Sequence, residues 1–139
     1  MALDLWGGAW CNNTPAAARW YHRPGQGPRQ RLLFCAAHLH PFVLAWLDGA
    51  PAGRWRWRRA VAEYGYVLVS ATAIEGVRDP RTRRVVGVLA TAGGVVLWRV
   101  LGASPGAPWF APVYFTKLLA GHVAGAAVLR VEQWTRHPA

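Results

Sequence analysis

Four apolar stretches dominate the chain: Arg31–Asp48, Ala60–Gly76, Val85–Gly102 and Trp109–Val131. Arginine-rich joints, Arg54-Trp-Arg-Trp-Arg-Arg59 and Arg78–Arg84, separate the first three, and an uncharged turn, Ala103–Pro108, separates the last two. Apolar runs of this length match the roughly 20 residues a helix needs to cross a bilayer. Charged residues make up 16% of the chain, against about 25% in an ordinary soluble domain. These features predict an all-α, polytopic integral membrane protein with four transmembrane helices.

The first stretch fits least well. At a rise of about 1.5 Å per residue it reaches only about 27 Å. Pro41 cannot donate to the carbonyl of Ala37, so the helix kinks there. The segment is therefore expected to be short, kinked or re-entrant. Residues 1–30 read as a polar, aromatic arm without a sustained period, whose Trp6, Trp10, Trp20 and Tyr21 suit a membrane interface. Residues 31–131 form the expected membrane domain, and 132–139 a short polar tail. Met1-Ala-Leu-Asp4 lacks the basic and apolar regions of a cleavable signal peptide, which leaves the first helix as the insertion signal. The arm, the second joint and the tail carry more arginine than the other joints. The positive-inside rule then places both termini in the cytoplasm of a multi-pass protein of the cell (inner) membrane.

The net charge of +10 would also fit a nucleic-acid partner. No zinc-finger, RNP-like or helix-turn-helix pattern supports that, and the basic residues bracket apolar segments. Arg54, Arg56, Arg58 and Arg59 are expected to meet anionic lipid headgroups, with no nucleic acid bound. Cys11 and Cys35 do not form a disulfide framework. Gly87, Thr91 and Gly94 share one helix face, and Gly121-x-x-x-Gly125 forms another. Such small-residue faces read as helix-packing surfaces and suggest a homo-oligomer or a partner membrane subunit.

Ionisable groups within the apolar stretches are costly and mark candidate sites. They are His38, His40, Glu63, Arg99, Lys117 and His122. Glu63 and Arg99 fall at similar depth and can pair. Lys117 lies deeper and calls for a carboxylate partner, for which Glu63 is the nearest candidate. Tyr66 and Tyr114 share faces with Glu63 and Lys117 and complete a polar intramembrane site. His38 and His122 lie at equal depth on different helices, the placement of a pair that ligates haem iron or another metal. On one helix His38 and His40 would point about 200° apart and could not share a site.

No reaction is named by a motif. Asp48-Gly-Ala-Pro-Ala-Gly-Arg54 departs from the Asp-Gly-x-x-Ala-Arg motif of CDP-alcohol phosphotransferases, because Gly53 stands where arginine is required. Ser70 and Ser104 lack the flanking pattern of a nucleophile elbow. The leading expectation is a non-enzymatic, transporter-like or accessory membrane subunit without a cofactor. The alternative is an intramembrane enzyme or haem-binding subunit that uses His38 and His122.

Overall fold

The computed structural model describes residues 1–49 and 53–125, with the side chains of all of these except 53–55. Every regular element among them is helical. The order is α1 (Ala2–Cys11), α2 (Pro15–Tyr21), α3 (Pro28–Ala36), α4 (His40–Leu47), α5 (Gly53–Gly76), α6 (Pro80–Val100) and α7 (Phe110–Phe115). Directly after α7 comes a π-helical segment, Thr116–Val123. Helix starts follow local chemistry. Pro15, Pro28, Pro41 and Pro80 occupy the first or second helical position, where a missing N–H costs nothing. Thr14 Oγ1 accepts from Ala17 N at 3.2 Å, and Asp79 Oδ2 from Thr82 N at 2.7 Å, so both act as N-caps.

The segment from Phe110 to Val123 is the core of the molecule. Phe110, Ala111, Tyr114, Phe115, Leu118, Leu119 and Val123 are all buried. A helix apolar on every side must be surrounded, and α1, α2, α3, α5 and α6 pack around this one. The small-residue face of α6 makes the closest approach. A Cβ on Gly94 would stand 2.7 Å from the Phe115 ring, and one on Gly87 would stand 2.5 Å from Ala124 Cβ. Thr91 Oγ1 donates to the carbonyl of Gly87 at 2.8 Å on the same face. The Gly121 face packs too, but against Asn12 and Asn13 at the end of α1. Residues 1–21, read above as an aperiodic arm, therefore form two helices laid on the central segment.

The expected four-span membrane arrangement is overturned. No described helix is long and apolar enough to cross a membrane. The first stretch breaks at Ala37–Leu39 into two short helices, α3 and α4. In α5, Arg56, Arg58, Arg59, Glu63 and Glu75 are part of the helix itself rather than a joint outside it. In α6, Arg81, Arg83 and Arg84 open the helix and Arg99 lies near its end. The fourth stretch is helical only over Phe110–Val123 before turning at Ala124 and Gly125. Its continuation to Val131, and the tail 132–139, lie outside the described residues. Multi-pass placement in the cell (inner) membrane, cytoplasmic termini and a transport role lose their basis with the spans.

Candidate functional site

The break between α3 and α4 builds the site. Pro41 has no N–H for the carbonyl of Ala37, and its ring would crowd that carbonyl in a continuous helix. The chain instead leaves the helix at Ala37, and α4 restarts at His40. This undoes the opposition of His38 and His40 expected on one helix: their ring centroids lie 5.3 Å apart. Asp4, in the first turn of α1, reaches the same place. One ligand atom from each of Asp4, His38 and His40 falls within 4.8 Å of the other two.

Each member is oriented by a neighbour. His38 Nδ1 lies 2.7 Å from the carbonyl oxygen of Phe34. A carbonyl can only accept, so Nδ1 carries the proton and Nε2 presents a lone pair. His40 Nε2 stands 3.1 Å from Asp4 Oδ2, and His40 Nδ1 has no hydrogen-bond partner among the described residues. The other carboxylate oxygen, Asp4 Oδ1, accepts from Lys117 Nζ at 2.7 Å. Tyr114 donates to the His38 carbonyl at 3.0 Å and braces the break from the core.

Electrostatics leave all three groups ready to ligate near neutrality. Burial lowers the pKa of His38, and burial together with His38 lowers that of His40 to about 4. Both imidazoles are therefore neutral at pH 7. Burial pushes Asp4 upward, but the hydrogen bond and charge of Lys117 outweigh it, so its carboxyl sits below the ordinary range. Neutral imidazoles and an ionised carboxylate are the forms that bind metal.

The expected polar site is distributed differently. Lys117 is buried at the start of the π-helical segment, and its stem passes where a side chain on Gly8 would sit. Its partner is Asp4 rather than Glu63. Glu63 faces Arg59 one turn back, with Arg59 Nε 3.5 Å from Oε1. Tyr66 donates to the carbonyl of Ala90 at 2.7 Å, which ties α5 to α6. Arg99 is exposed. Of the arginines assigned to headgroups, Arg59 points inward, bound to Asp48 and to the Gly102 carbonyl, whereas Arg58 is exposed. Arg56 stands 5.9 Å over the Trp57 ring, and the Arg54 side chain lies outside the described residues. His38 and His122 both contact Phe34, at 4.5 and 4.1 Å between ring centroids.

Sequence reasoning missed Asp4 because the arm shows no period. The acid count held a signal: the chain has only 6 Asp and Glu, and a buried lysine needs one of them. No protein-family model, curated protein or solved structure matches the chain.

Proposed function

We propose that this protein binds a transition-metal ion through Asp4, His38 and His40. The reading is carried by one observation, the convergence of two imidazoles and a carboxylate within 4.8 Å. Two nitrogen ligands and one oxygen suit zinc or non-haem iron(II). Metal–ligand bonds of about 2.0–2.2 Å draw donor atoms closer than this. Asp4 can supply the movement, because its side chain is 54% exposed. The hydrogen bond from His38 Nδ1 to the Phe34 carbonyl and that from Lys117 to Asp4 would orient the ligands from behind, as outer partners commonly do. Three protein ligands leave coordination positions for water or a small molecule, the pattern of reactive rather than purely structural metal sites. The haem expectation paired His38 with His122, whereas the geometry favours pairing His38 with His40.

Titration of the full chain with cobalt(II) tests this. One equivalent should bind with a visible d–d spectrum. His38→Gln and His40→Gln should each weaken binding at least tenfold, while His22→Gln should leave it unchanged. Absence of saturable binding, or undiminished binding in the His38→Gln/His40→Gln double variant, would sink the proposal.

A further inference from the structure

The helices that enclose the central segment leave a broad apolar face of their own uncovered by the described residues. In α6, Val85, Val88, Leu89, Ala92, Val96 and Val100 recur at three- and four-residue spacing, and all are exposed. That spacing puts them on one side of the helix. The opposite side carries Gly87, Gly94 and Trp98, which are buried. Helix α5 continues the face. The short connection Val77–Asp79 turns the chain back, and the Tyr66 hydroxyl on the Ala90 carbonyl holds the two helices side by side. Because α5 buries Val67, Ala71 and Ile74 in the same core as Trp98, its exposed Val61 and Val69 face the same way as the α6 stripe. A contiguous apolar patch with a polar rim marks a surface that meets a partner.

We propose that this face docks on a bilayer containing anionic lipid, with α5 and α6 lying along the surface rather than crossing it. Charge selects this occupant. Arg81 and Arg84 are exposed at one end of α6, and Arg99 is exposed at the other, beside the exposed Arg58 of α5. From Arg84 to Arg99 the helix runs about 22 Å, so the apolar stripe lies between two sets of cations. The acids of α5, Glu63 and Glu75, are turned inward onto arginines. Helix α6 contains no acid, and Asp79 caps its first turn. A helix with an apolar face and flanking arginines settles in the interface plane, its apolar side about 5–10 Å deep and its guanidiniums at the lipid phosphates. No described helix is long and apolar enough to cross the bilayer, which leaves the flat placement. A second copy of the chain fits less well. Parallel pairing along α6 sets Arg84 against Arg84, and antiparallel pairing sets Arg84 against Arg99. A nucleic acid would meet the arginines but leave the stripe in water.

The test is co-sedimentation of the full chain with preformed vesicles of equimolar phosphatidylcholine and phosphatidylglycerol, compared with phosphatidylcholine alone. Binding to the mixed vesicles should be at least tenfold stronger. Leu89→Gln/Val96→Gln changes only exposed side chains, should melt like the parent, and should weaken vesicle binding at least tenfold. Arg81→Gln/Arg84→Gln should also weaken binding to the mixed vesicles. Fluorophores on Thr82→Cys and on Ala103→Cys, each in a Cys11→Ser/Cys35→Ala background, report on crossing. Both should be quenched by an impermeant reagent added outside the vesicles. Without lipid, the chain should sediment as a monomer. Equal binding to both vesicles, undiminished binding by Leu89→Gln/Val96→Gln, protection of one fluorophore, or a lipid-free dimer that Leu89→Gln/Val96→Gln dissociates would each overturn the proposal.

Discussion

Lys117 brings an ammonium to the centre of an apolar core, and its tolerance depends on a carboxylate at the surface. The pair is lopsided: the Lys117 side chain is 3% exposed and that of Asp4 is 54% exposed. Removing the buried member leaves Asp4 to water. Truncating the Asp4 side chain strands a buried charge that retains, among the described residues, only the main-chain carbonyl of position 4, 3.2 Å away. Breaking a fully buried pair typically costs about 3–5 kcal/mol, and exposure of one partner reduces that. Asp4→Ala is therefore expected to cost about 1–3 kcal/mol and Lys117→Met less than about 1 kcal/mol. Denaturant unfolding of both variants checks this, and equal costs would refute the asymmetry.

Among the elements, the break at Ala37–Leu39 has the largest consequence, because it converts two opposed histidines into neighbours. Pro41→Ala restores an N–H and removes the steric conflict with Ala37. The expected outcome is a helix that runs through the break, with unchanged or higher helical content by circular dichroism. Cobalt(II) affinity should fall at least tenfold, since His38 and His40 would again diverge. Retained affinity together with increased helicity would show that the break does not assemble the site. The π-helical segment matters at the same scale. Such segments are rare and are often found at functional sites. This one carries both Lys117, which holds Asp4, and His122, which contacts Phe34.

Across the whole molecule, two further clusters of buried charge join helices among the described residues, besides the Asp4–Lys117 pair. Arg31 of α3 and Arg83 of α6 both bind Glu75 of α5 and so join three helices. In the other, Asp48 binds Arg59 and accepts from Ser104 at 2.6 Å, while Glu63 faces Arg59 with neither oxygen hydrogen-bonded among the described residues. Burial raises the Glu63 pKa from 4.5 to about 7, against the pull of Arg59 and with a smaller push from Asp48. The native state then holds this proton more tightly than the unfolded chain does. The stability Glu63 contributes is fullest below pH 4.5 and is lost as pH rises to about 7. His22 and His40, both lowered to about 4 mainly by burial, act oppositely: their contribution is present above pH 6.5 and is lost as pH falls to about 4. Subtracting the parent curve isolates Glu63. The melting temperature of Glu63→Gln relative to the parent should rise steadily from pH 4.5 to 7 and then level off. A flat difference would mean that burial does not raise the Glu63 pKa above its unfolded value.

Local chemistry determined much of this protein from sequence alone. The Gly87/Thr91/Gly94 face marks a packing surface; Asp79-Pro80, inside the expected second joint, instead opens a helix, and the apolar run Trp109–Val131, expected to span a membrane, is a buried helix over Phe110–Val123. Each rests on a short-range rule: a missing N–H, a missing Cβ, or a side-chain period. The sequence also singled out Lys117, His38 and His122 as polar groups in apolar surroundings. It did not determine what surrounds them. An apolar run reads the same whether lipid or other helices cover it, and only the tertiary structure decides between them. That structure wraps five helices around the fourth stretch and cuts the first in two. The Asp4–Lys117 pair joins residues at opposite ends of the described chain, and no local period connects them. The meeting of Asp4 with His38 and His40 likewise required the docking of α1 against the central segment, because the ligands converge only after the helices have packed.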